Sequence, residues 1–62
     1  MDKPTVKIIG EDGNGALIIG RAYRALCKNG QEAQAAEFLD RATSAASYYK
    51  MLEIVAEYVY IK

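Results

Sequence analysis

At 62 residues the chain makes one domain at most, spanning positions 1–62, and a chain of this size buries only about 60% of the surface its unfolded form exposes. Such scaffolds usually add disulfides, a metal or a partner chain. Cys27 is the sole cysteine and there is no histidine, so an internal disulfide is excluded, no metal or other cofactor is expected, and oligomerisation is left as the support. Eight basic residues balance eight acidic ones, which argues against bulk electrostatic attachment to nucleic acid or membrane but leaves room for a local basic patch.

The opening residues Met1-Asp2-Lys3-Pro4 do not form the apolar core of about 7–15 residues that an export signal needs. No apolar run approaches the roughly 20 residues needed to span a bilayer. With one free cysteine, the expected compartment is a reducing cytoplasm.

Thr5-Val6-Lys7-Ile8-Ile9 alternates and is β-branched, which predicts a strand with Val6 and Ile8 on one face and Thr5, Lys7 and Ile9 on the other. Gly10-Glu11-Asp12-Gly13-Asn14-Gly15 ends it in a glycine-rich turn. Asn14 is the expected N-cap of a first helix over Gly15–Lys28. In that helix Ile18, Ile19, Ala22, Tyr23 and Leu26 gather on one face, with Leu17, Arg21, Arg24 and Lys28 opposite. Gly20 inside it costs about 1 kcal/mol relative to Ala, which predicts close approach of another backbone there. Asn29-Gly30 supplies a left-handed helix end.

A second helix is expected from about Gln31 to Ala42, burying Ala35, Phe38, Leu39 and Ala42 and wetting Gln34, Glu37, Asp40 and Arg41. Ser44 or Ser47 caps the third. There Tyr48, Met51, Leu52, Val55 and Ala56 recur at helical spacing, with Lys50, Glu53 and Glu57 on the wet side. In Tyr58-Val59-Tyr60-Ile61-Lys62 the period changes from about 3.6 to 2. This predicts a second strand with Val59 and Ile61 toward the helices and Tyr58, Tyr60 and Lys62 pointing away.

The expected fold is therefore a small α+β domain, β-α-α-α-β, with the two terminal strands paired and the three helices on one face. Open strand edges and an outer face of Ile9, Tyr58 and Tyr60 predict a homodimer, formed by extending the sheet or by packing its outer faces.

Nothing in the chain points to catalysis. A catalytic thiol needs a base, usually His, and Cys27 has none nearby in sequence; it reads as a small apolar filler. The amides of Gly13, Asn14 and Gly15 at a helix start are a ready anion site, with Arg21, Arg24 and Lys28 adding positive charge. The spacing fits neither a P-loop nor a dinucleotide fingerprint. The plainer readings are a tight strand-to-helix connection and a solvated helix face.

The first expectation is thus a non-catalytic binding or interaction module, homodimeric, with a protein partner. The alternatives are a protein that sequesters or senses a phosphorylated small molecule such as a nucleotide, and a weak single-stranded nucleic-acid binder in which exposed tyrosines near Lys7 and Lys62 stack bases. The neutral net charge counts against the last.

Val6-Lys7-Ile8-Ile9-Gly10-Glu11-Asp12-Gly13-Asn14, then Gly20-Arg21, Ala25-Leu26, Phe38-Leu39, Ala42-Thr43-Ser44 and Glu57-Tyr58-Val59 resemble a group of small, mostly uncharacterised bacterial and phage-borne proteins with a G-x-D-G-N turn before a helix. The resemblance covers nearly the whole chain and implies an accessory role on a mobile element, with no established activity and no catalytic residues. Gly15 departs from it, since the group often has a larger residue there.

Overall fold

The computed structural model describes residues 3–8 and 14–62. Their order is β1 (Thr5–Val6), α1 (Gly15–Lys28), α2 (Glu32–Thr43), α3 (Tyr48–Tyr58) and β2 (Tyr60–Ile61), the predicted β-α-α-α-β. Ile9 and the Gly10–Gly13 part of the expected turn lie outside the described residues.

Each helix boundary has a local cause. Asn14 caps α1 as predicted, its side chain accepting from the Leu17 amide at 3.1 Å. Gly30, at φ 76°, takes the left-handed conformation that closes α1. Ser47, of the two serines considered, caps α3 by accepting from the Lys50 amide at 3.1 Å.

The strands pair in parallel, Thr5 opposite Tyr60 and Val6 opposite Ile61. Strand-type bonding runs past the strands proper. The Tyr60 amide donates to the Pro4 carbonyl at 2.8 Å, the Lys62 amide to Val6 at 2.9 Å, and the Ile8 amide to Lys62 at 3.0 Å. A parallel pair needs a crossover of about a dozen residues or more, and the three helices form it.

The core lies between the helices and the inner face of this small sheet. Val6 and Ile8 are buried together as predicted, against Ile18, Ala22, Leu26, Ala35, Phe38, Ala42, Met51, Val55, Tyr58 and Val59. Phe38 is fully enclosed, and the Tyr58 ring meets it edge-on at 5.3 Å between centroids.

Several predicted details are corrected. Tyr58 is 8% exposed, not on an outer sheet face. It ends α3 and continues the Met51–Val55 stripe at i+3, so the helical period extends further than the strand-like composition implied. Ile61 was expected to point at the helices beside Val59, yet Val59 is 1% exposed and Ile61 44%. The two share a face by strand alternation, so the helical cover ends between them. Leu39 was placed in the α2 stripe but is 38% exposed, and Ala56 is exposed on α3. The buried stripe of α2 is about one residue narrower than predicted, with Leu39 at its exposed margin, while Tyr23 ends the α1 face as an edge residue. Finally, beyond the adjoining backbone of α1 no described residue comes within 4 Å of a Cβ built at Gly20, so no other described backbone of this chain makes the close approach predicted there.

Candidate functional site

Charge is unevenly shared among the elements. α1 carries Arg21, Arg24 and Lys28 and no carboxylate, giving +3; α2 sets Glu32, Glu37 and Asp40 against Arg41, giving −2; α3 sets Glu53 and Glu57 against Lys50, giving −1. Among the described helices, α1 is therefore the basic one and α2 and α3 are the acidic ones.

Beside α1, a groove of about 480 Å³ runs between β1 and the outer face of that helix. Lys7, Arg21, Arg24 and Lys28 surround it, and no carboxylate among the described residues lines it. Ala16, Gly20 and Ala25 make a low floor, and the exposed Leu17 adds an apolar end. Among the described residues Arg41 pairs with Glu57 at 2.8 Å and Lys50 with Glu53 at 3.8 Å, whereas Lys7, Arg24 and Lys28 form no ion pair. Helical geometry explains the row: residues three and four apart stand on one face.

The predicted anion site is only partly assembled. Arg21, Arg24 and Lys28 share the groove, and the fold adds Lys7, which lies 14 residues before Arg21 in sequence. Gly15 instead lines an adjoining, largely apolar cleft with Ile19, Leu39, Tyr48 and Met51, which shares Ala16 and Gly20 with the groove. Asn14 has its side chain engaged as a cap, and Gly13 lies outside the described residues. From sequence, Lys7 stands only as the outward neighbour of aromatic rings. The signal that finds it for the groove is strand alternation, which sets Lys7 opposite the buried Val6 and Ile8.

A second polar cluster ties α2 to the end of α3. Arg41 grips Glu57 with both terminal nitrogens, at 2.8 and 3.1 Å, and also donates to the Tyr58 hydroxyl at 3.1 Å. The Tyr58 hydroxyl donates in turn to Glu37. Arg41 holds the Glu57 carboxyl below its usual range, and its own pKa is raised by the bonds to Glu57 and then Tyr58. Burial, followed by the bond to Glu37, pushes the Tyr58 hydroxyl above its ordinary value. Every ionisable member has a hydrogen-bond partner within the cluster, so the cluster reads as a structural clasp.

Of the interface residues predicted from sequence, Tyr58 is buried in this clasp and Ile9 lies outside the described residues. Tyr60 is 55% exposed, with the Lys3 ammonium 4.7 Å from its ring centre. Cys27 packs half-buried against the core, beside Tyr23, whose hydroxyl it shifts upward. No helix among the described residues is long and apolar enough to cross a membrane.

Set against family models, curated proteins and solved structures, the chain matches none.

Proposed function

We propose that the protein is a non-catalytic binding module that holds an anionic partner in the groove between β1 and α1. The observation that carries this reading is the gathering of Lys7, Arg24 and Lys28 around a groove, with neither an ion-pair partner for these three nor a carboxylate in the groove's lining among the described residues. Exposed cations grouped on one surface of a chain of zero net charge give a local field that attracts anions despite the neutral whole. Phosphate groups of a small molecule and carboxylates of a protein partner both satisfy that field.

The test is titration of the ¹⁵N-labelled protein with inorganic pyrophosphate and, separately, with an acidic peptide. At least one should shift the amides of Lys7, Gly20, Arg24 and Lys28 and weaken as salt is added. The double variant R24E/K28E should lose at least tenfold in affinity. Absence of any shift at about 1 mM of either probe, a binding free energy weaker than about −4 kcal/mol, removes this reading.

A second reading concerns self-association. Ile19 and Leu39 flank a largely apolar cleft on the side of α1 facing α2 and α3, and Leu39 is exposed beside it. A second copy seated there would cover apolar surface that so small a core leaves open. This homodimer uses the helical face in place of the predicted sheet face. Sedimentation at micromolar concentration tests it; a monomer of 6.8 kDa throughout would remove it.

A further inference from the structure

We infer that the partner of the basic groove is an extended acidic peptide segment that adds, as a third strand, to the edge of β1 turned away from β2. This rests on the anion-binding reading above and names the ligand class for the same groove.

The argument begins with the direction of the backbone groups. Pro4 and Val6 accept from β2, and Ile8 donates toward it. In an extended strand successive residues turn their amide and carbonyl groups to opposite edges. Thr5 and Lys7 therefore aim theirs away from β2, and none of the described residues bonds to them there. That edge borders the groove: Thr5, Val6 and Lys7 line it, and no residue of β2 does.

An exposed strand edge is a template for another strand. Here the edge is walled by cations, which selects the occupant. Along α1, Arg21 to Arg24 advances about 4.5 Å and Arg24 to Lys28 about 6 Å. Side chains on one face of an added strand repeat every 6.6–6.8 Å or so, a spacing that long Arg and Lys side chains can follow. Carboxylates at alternate positions of the peptide thus meet Arg24 and Lys28, while its main chain pairs with Thr5 and Lys7. The low floor at Ala16, Gly20 and Ala25 leaves room for the inward side chains, and Leu17 offers one apolar contact. A free phosphate would use the cations but leave the carbonyls of Thr5 and Lys7 facing only water. The extended peptide satisfies both sets of groups.

The experiment uses the full chain and the peptide Ac-EVEVEVE-NH2, with an analogue N-methylated at alternate residues to block one edge of its backbone. Peptide binding should slow hydrogen exchange at the Thr5 and Lys7 amides, by up to about a hundredfold at a free peptide concentration of 100 Kd. N-methylation on the pairing edge should lower affinity at least tenfold, and so should R24E/K28E. Pyrophosphate should shift the cationic residues without protecting Thr5. Equal affinity of the N-methylated analogue, or peptide binding without protection of Thr5 and Lys7, overturns strand addition. Binding of pyrophosphate but not of peptide overturns it too, while the anion-binding reading stands; binding of neither removes both. Protection of Thr5 and Lys7 without peptide, in a sample that sediments as a dimer, assigns the edge to a second copy and overturns it as well.

Discussion

Replacing Gly20 with alanine separates the two meanings a helical glycine can have. If the missing side chain served packing within the chain, a methyl group there would clash and destabilise. Apart from the adjoining backbone of α1 itself, no described residue comes within 4 Å of that methyl, so intrinsic helix propensity decides the outcome, and Gly20→Ala should stabilise by about 1 kcal/mol. Unfolding entropy near 2.1 cal/mol/K per residue gives about 130 cal/mol/K for a chain of this length, so Tm should rise by about 8 °C. Thermal and urea unfolding followed by circular dichroism read both quantities. Gly20 also forms part of the floor of the basic groove, so the same methyl should weaken peptide binding while strengthening the fold. An unchanged or lowered Tm would refute the reasoning, because it would mean that something packs against α1 at this point in the free protein.

Other substitutions test the core, the clasp and the caps. Phe38→Ala should cost about 3–5 kcal/mol, comparable to the whole stability of about 3–9 kcal/mol expected at 0.05–0.15 kcal/mol per residue, whereas the adjacent Leu39→Ala should cost at most about 1 kcal/mol; urea midpoints order the two. Because Glu57 has a lowered pKa when folded, its contribution is present above the unfolded value near 4.5 and fades as pH falls below it; Glu57→Gln should flatten that acid limb. Tyr58 has a raised pKa, so its contribution is present below about pH 10 and fades as pH rises beyond; Tyr58→Phe should remove that alkaline loss and cost about 1 kcal/mol at neutral pH. Asn14→Ala and Ser47→Ala should each cost about 1 kcal/mol of unfolding free energy through lost amide partners at the starts of α1 and α3, and a change below a few tenths would deny the capping bonds.

Local rules carried much of the fold. Asn14, Gly30 and Ser47 announce helix ends because capping and left-handed geometry are satisfied within a few residues. Ile18, Ala22 and Leu26, Ala35 and Phe38, and Met51 and Val55 were legible as core because a helix repeats its buried face at fixed intervals. The alternation of Val6 and Ile8 likewise disclosed the inner face of β1.

What the chain could not disclose locally was where one period yields to another and how far cover extends. Tyr58-Val59-Tyr60-Ile61 reads as a strand by composition, but Tyr58 joins the helix because Phe38, Glu37 and Arg41, 17 to 21 positions earlier, hold its ring and hydroxyl in place. Ile61 is half out of the core because the helices stop short of it, a fact of layer dimensions. For the site, sequence supplied Arg21, Arg24 and Lys28 as one helical row, whereas the parallel pairing of the two ends decided which edge of β1 turns away from β2 and the packing of β1 beside α1 brought Lys7 to that row. Neighbouring residues fix their own dihedrals and faces, but contacts across the crossover depend on how separate elements pack, and no local pattern encodes that.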